Sequence, residues 1–187
     1  LQKSLGGQKA LIEFVSFDGS LSAFVATGEK IDFVAGLADE NEVLTLLEGL
    51  RFQFGALRYG TKNLDAFLGE LKKRADFYLQ KLYDKLVRPL ENFIGARDLV
   101  VVPVGATHYV PFHALRRDNE YLIETREIVY SPSAAVWRFL TEKPERPPKN
   151  ALLIGFADEK IPLVNREIEV LGKIFPEAKI LKNGAAN

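Results

Sequence analysis

Four consecutive apolar residues, Leu99-Val100-Val101-Val102, three of them β-branched, follow a long helical pattern and stop at Pro103 and Gly105. Such a run offers no polar side to water. It suits a central strand covered on both faces, and that requires helices packed against a sheet. This segment calls for an α/β fold, and the chain on either side supplies the parts.

Upstream, Ala10 to Phe17 alternates imperfectly, Asp18-Gly19 follows at once, and Leu21 to Ala26 resumes the apolar pattern. An Asp-Gly pair between two such runs is a strong hairpin signal. A turn at Thr27-Gly28-Glu29-Lys30 leads to a short third strand, Ile31 to Val34, so the opening reads as a β-meander. After Gly36 the apolar period becomes helical, through Val43, Leu46, Leu47, Leu50, Phe54 and Leu57. Asp39 or Asn41 can cap this helix and Gly60 close it. A longer helix is expected from Asn63, its stripe running Leu64, Phe67, Leu68, Leu71, Ala75, Tyr78, Leu79, Leu82, Leu86 and Leu90. Pro89 should kink or split that helix before Gly95 ends it.

Beyond the central strand, Tyr121-Leu122-Ile123 and Glu127 to Tyr130 read as two short strands. A helix should then start with Ser131 as its cap and Pro132 in its first turn, and run to about Leu140. The run Thr141 to Asn150 holds three prolines and five charged residues with no apolar anchor, so it reads as a linker. Ala151 to Phe156 restarts as a buried strand, Asn165 to Phe175 is an amphipathic helix, and Lys179-Ile180-Leu181 begins another strand. The expected architecture is α/β: a meander and long helices on a mixed sheet over residues 8–141, a linker over 142–150, and the start of a second α/β unit over 151–187.

At 187 residues, 47% of them hydrophobic, the chain can bury one ordinary core and part of a second. Lysine plus arginine and aspartate plus glutamate stand at 25 each, so no net field draws it to nucleic acid or to anionic lipid. No apolar run approaches the roughly 20 residues that span a bilayer. The first residues do not read as a signal peptide, and the cytoplasm is the expected location. There is no methionine, not even a first one, so a fragment of a longer polypeptide is expected.

Cysteine is absent, which removes disulfides, thiolate nucleophiles and sulfur-ligated metals from these residues. With only two histidines, no metal or other cofactor is expected. Both histidines lie just past the central strand, in VVVPVGATHYVPFHAL. A hydrolase reading would pair His108 or His113 with Ser131 or Ser133. The alternative is that the serines cap a helix and the histidines are turn residues. No nucleophile elbow, paired-histidine zinc motif, phosphate-binding loop or dinucleotide fingerprint occurs, and Gly105 signals only a tight turn.

The run from Asp98 to Leu140, VVVPVGATHYVPFHALRRDNEYLIETREIVYSPSAAVWRFL after its first residues, resembles the first half of a CHAT domain. The shared features are a strand ending in Pro, a Gly turn, an aromatic-x-Pro-Phe-x-Ala-Leu segment, a Tyr-Leu followed by Glu, and Tyr-x-Pro-Ser entering a helix. The upstream meander and helices, and the downstream LLIGFADEKIPLVNREIEVLGKIFPEAKIL, are similar in order, so the likeness covers nearly the whole chain. It implies a caspase- and separase-related cysteine peptidase, built as a proximal pseudo-protease unit followed by an active one and often found beside tetratricopeptide repeats. Only the part after Asn150 resembles the beginning of the catalytic unit. The family's catalytic His and Cys lie further on, and His108 is not at that histidine's position, so no catalytic residue is assigned here. The implied role is a structural or substrate-positioning half whose partners are the rest of the peptidase domain, a repeat region or an adaptor. The other reading is a stand-alone interaction module with repeat-protein partners.

Overall fold

The computed structural model describes residues 1–55, 65–143, 150–159 and 161–182. Gly60, Asn63 and the prolines 144, 147 and 148, where the sequence places a helix stop, a helix start and a linker, lie outside the described residues. The chain divides into two compact units, Leu1–Lys143 and Pro144–Asn187.

The first unit begins with a single helical turn, α1 (Gln2–Leu5). The meander follows as β1 (Lys9–Phe17), β2 (Ser20–Ala26) and β3 (Ile31–Asp39), antiparallel neighbours in that order. Asp18 and Gly19 take φ of 49° and 75°, both left-handed, as a two-residue hairpin turn requires. β3 runs further than Val34 because Gly36, at φ 65°, absorbs a bulge that lets pairing resume at Ala38. α2 (Glu40–Gly55) follows directly, and Asp39 caps it: its Oδ1 accepts from the N–H groups of Asn41 at 2.9 Å and Glu42 at 3.2 Å.

α3 (Asp65–Leu86) stops just before Pro89, which sits in a 3-10 turn over Arg88–Leu90. One further turn, α4 (Glu91–Ile94), ends at Gly95 with φ 58°. The split expected from Pro89 is thus realised, since its ring and missing N–H cannot continue the ladder. β4 (Asp98–Val102) then enters the sheet parallel to β1, with Leu11 opposite Val100 and Ile12 opposite Val101. On its other side β4 pairs parallel with β7 (Ile128–Tyr130), giving a mixed sheet of order β3-β2-β1-β4-β7.

Between β4 and β7 lies a small hairpin, β5 (Arg116–Arg117) and β6 (Glu120–Tyr121), followed by a single helical turn, α5 (Leu122–Thr125). This corrects the expected strand over Tyr121 to Ile123. The Asp118-Asn119 turn, with Asp118 at φ 54°, ends pairing at Tyr121, and Leu122 is buried as the first residue of a turn. The unit closes with α6 (Ala134–Glu142), two residues beyond the expected end at Leu140.

β4 is covered on both faces, as its composition demands. Leu99 and Val101 join one cluster with Ala10, Ile12 and Phe14 of β1, Val43, Leu47 and Leu50 of α2, and Leu79, Leu82 and Leu86 of α3. Val100 and Val102 point the other way, to Leu5 of α1, Leu11, Ala26 and the α6 residues Ala134 and Trp137. The alternation of a strand puts successive residues into two separate cores.

In the second unit β8 (Leu152–Gly155) and β9 (Lys179–Lys182) pair in parallel across α7 (Val164–Ile174). Gly155 lets the helix approach: a Cβ there would fall 1.8 Å from Ile168 Cδ1. The expectation of a buried strand is not met, since Leu152 is 59% and Ile154 60% exposed. Two strands and one helix cover only one face of so small a sheet. Among the described residues no helix is long and apolar enough to cross a membrane.

Candidate functional site

Open α/β sheets present ligand sites at the carboxyl ends of their parallel strands. In the first unit that place is the segment leaving β4. Val104 is extended, Gly105 turns at φ 49°, and a 3-10 turn follows over Gly105–Tyr109. Thr107, fully buried, ties the turn to its start: its Oγ1 accepts from the Val104 N–H and donates to the Val104 carbonyl, both at 2.7 Å.

A carboxylate from the same chain fills the space at this turn. Glu40, the first residue of α2, accepts a hydrogen bond on Oε1 from the Ala106 N–H at 2.8 Å, and one on Oε2 from the Ser16 hydroxyl at 2.8 Å. Its own N–H donates to the Gly19 carbonyl at 2.8 Å. One residue therefore clasps the β1–β2 hairpin, the start of α2 and the loop after β4. The Ala106 amide, and after it the Ser16 hydroxyl, hold the Glu40 carboxyl below its ordinary range, because both bonds favour the charged form. Glycine is required at 105 twice over: by its φ, and because a Cβ would lie 1.9 Å from Glu40 Oε1.

The next segment is anchored by alternate side chains. Val110, Phe112 and Leu115 are buried, whereas His108, Tyr109 and His113 are exposed. Phe112 packs on Phe14 at 5.4 Å between ring centroids and on Tyr130 at 6.2 Å. The Phe112 N–H donates to the Tyr130 hydroxyl at 2.9 Å, and burial raises the pKa of that phenol. The guanidinium of Arg51, on α2, lies 4.9 Å from the Tyr109 ring centroid. The aromatic-x-Pro-Phe-x-Ala-Leu segment is thus a plug with an exposed rim.

The serine–histidine arrangement weighed from the sequence is not made. Ser131 Oγ donates to the Ser133 carbonyl at 2.9 Å, and Ser133 Oγ accepts from the Val136 N–H at 3.1 Å. The helix cap is therefore Ser133 and not Ser131. Pro132 precedes the cap, because Ser133, at φ −164°, is extended and only Ala134 begins the helix. Among the described residues no hydrogen bond joins either histidine to either serine, and no group of three His, Asp or Glu side chains could hold a metal ion.

One polar cluster, missed in the sequence, joins residues 40 and 45 positions apart. Asp76 of α3 accepts from Lys72 Nζ at 2.7 Å, from the Tyr121 hydroxyl at 2.7 Å and from the Arg116 guanidinium. Burial pushes the Asp76 carboxyl up, but the bonds from Lys72 and Tyr121 and the charge of Arg116 outweigh it and hold the pKa down. Arg116 also donates to the Asp118 carbonyl at 2.8 Å and to Asn119 Oδ1 at 3.2 Å, which shapes the hairpin turn. With every partner engaged, the cluster ties the hairpin to α3. The Asp-Asn dipeptide between two arginines and Glu-Tyr signals the hairpin turn, while nothing in the local sequence points to Asp76.

A protein-family model described as CHAT domain matches residues 77–187, from within α3 to the last residue and more than half of the chain. The meander and α2 lie upstream of the matched residues. No curated protein matches the chain.

Proposed function

Because the chain belongs to the CHAT domain family, we propose that these 187 residues are the non-catalytic half of a caspase-like cysteine peptidase domain, a part that supports or positions and does not cut. The observation that carries this reading is the clasp at the end of β4. The turn amide that could receive a developing oxyanion is already satisfied by Glu40 Oε1, at 2.8 Å. A thiolate mechanism needs sulfur beside an imidazole, and these residues contain no cysteine. Both imidazoles are exposed turn residues, and both nearby serine hydroxyls are committed to local backbone bonds.

The partner of the second unit is protein. Leu152, Ile154, Phe156 and Ile180 are apolar and exposed around a two-stranded parallel sheet, a kind of sheet that is ordinarily covered on both faces. That bareness favours the peptidase-half reading over a finished interaction module, which would pack the sheet to completion. The test is incubation of the purified chain with fluorogenic peptide libraries, alongside fluorophosphonate and acyloxymethyl-ketone probes read by intact mass. Neither turnover nor an adduct is expected. Catalytic turnover of any library member overturns the reading.

A further inference from the structure

α2 and α3 approach so closely that a Cβ on Gly49 would lie 2.4 Å from the Tyr78 ring. Phe52 and Gln53 of α2 and Lys73, Arg74, Phe77 and Tyr78 of α3 line an open groove of about 510 Å³. Its apolar walls face water. Phe52 is 72% and Phe77 55% exposed, although Leu47, Leu50, Leu79 and Leu82 on the same helices are buried. Phe77 and Tyr78 meet edge to face, with centroids 5.5 Å apart.

Among the described residues, the charged side chains lining the groove are both basic. Arg74 is exposed; its charge acts on Glu70 one turn before it, but no ion pair within 4 Å holds it among the described residues. Lys73 pairs at 2.9 Å with Glu70, but both side chains are largely exposed, so the pair is weak and exchangeable. Lys81 Nζ stands 5.6 Å from the Phe77 centroid, and among the described residues no acidic side chain lines the groove. Gln53 belongs to the lining but offers the groove no accessible acceptor. It is only 5% exposed, its Nε2 donates to the Gly49 carbonyl at 3.1 Å, and its buried Oε1 has no donor. The wall therefore asks for an apolar side chain and a carboxylate within a few residues' reach. An acidic peptide with an aromatic residue supplies both.

We infer that this groove docks an acidic–aromatic peptide segment of a partner protein. The rings of Phe52 and Phe77 receive its apolar anchor and Arg74 its carboxylate. Solvated ion pairs of this kind steer and discriminate more than they hold, so affinity rests on the rings and sign selectivity on Arg74.

Fluorescence anisotropy of the whole chain with a fluorescein-labelled hexapeptide, Glu-Asp-Phe-Glu-Leu-Gly, tests this against the counterpart Lys-Lys-Phe-Lys-Leu-Gly. The acidic peptide binds saturably and the lysine peptide does not. Arg74→Glu raises Kd roughly fivefold and Phe77→Ser roughly tenfold, and added salt weakens binding. Both side chains are exposed, and unchanged circular dichroism melts verify that the variants fold. Lys3→Glu, an equal charge change on exposed α1, leaves Kd unchanged. The inference is overturned by equal binding of the lysine peptide, by an unchanged Kd in Arg74→Glu, by an equal loss in Lys3→Glu, or by absence of saturable binding below millimolar concentration. It is also overturned if phosphatidylserine vesicles bind with the Arg74 dependence and the peptide does not.

Discussion

A single methyl group at residue 105 tests the clasp. Gly105→Ala forces an L-residue to hold φ 49°, which costs about 1–2 kcal/mol. It also places the new carbon where Glu40 Oε1 now sits, so the carboxylate must leave the Ala106 N–H. A hydrogen bond to a charged group contributes about 1.5–3 kcal/mol, and Glu40 is half-buried, so the lower end applies. The substitution should therefore cost about 3 kcal/mol in the native background. In Glu40→Ala only the backbone strain remains, about 1–2 kcal/mol, leaving a coupling of about 1.5 kcal/mol between the two positions. Urea denaturation followed by fluorescence of Trp137, the chain's one tryptophan, measures all four corners of the cycle. The sign with pH is fixed as well. The folded-state pKa of Glu40 lies below its ordinary 4.5. Its stabilisation is therefore complete above that value and is lost as pH falls through the lower, folded one. Additivity of the two substitutions at neutral pH, within about 0.4 kcal/mol, refutes the reasoning.

Asp76→Asn removes the charge shared by Lys72, Arg116 and Tyr121 at a side chain only 13% exposed, and should cost about 2–3 kcal/mol in the same urea titration. Gly49→Ala drives a methyl into the Tyr78 ring and should cost about 1–3 kcal/mol; pairing it with Tyr78→Ala should recover the part due to the clash. Tyr83→Phe breaks the buried phenol's bond to Glu91, at a cost of about 1.5–2 kcal/mol. Burial, then the Glu91 bond, raises the Tyr83 pKa above its ordinary 10.0, so wild-type stability should fall with pH above that value, and this alkaline limb should shrink in the Phe variant.

The parts legible in the sequence are those specified by a few neighbouring residues. Asp18-Gly19 alone dictates a hairpin turn, the four apolar residues of β4 dictate two-sided cover, and the stripe Ala75, Leu79, Leu82, Leu86 dictates the buried side of α3. What escaped depends on residues far apart in the chain. Glu40 read as an ordinary acidic residue at a helix start, yet its partners are Ser16 and Ala106, 24 and 66 positions away. β3 outran its apolar run because a glycine at φ 65° carried the bulge. Ser131 and Ser133 offer the same cap chemistry at adjacent registers, and the register is set where Ser131 N–H joins the Val101 carbonyl at 2.9 Å, which leaves Ser133 to begin the helix. The histidines looked like a site because they follow a buried strand; the buried residues between and beside them, Val110, Phe112 and Leu115, show that the segment is folded inward as packing.

The most direct measurement of the central claim is a carbon-detected NMR titration of the Glu40 side-chain carboxyl, followed together with the Ala106 amide proton. A strand end closed by its own carboxylate predicts that Glu40 titrates below 4.5 and that the Ala106 amide shifts in the same transition. A Glu40 that titrates at or above 4.5, with an Ala106 amide that does not respond, would mean that the end of β4 stands open and that the non-catalytic reading has lost its main support.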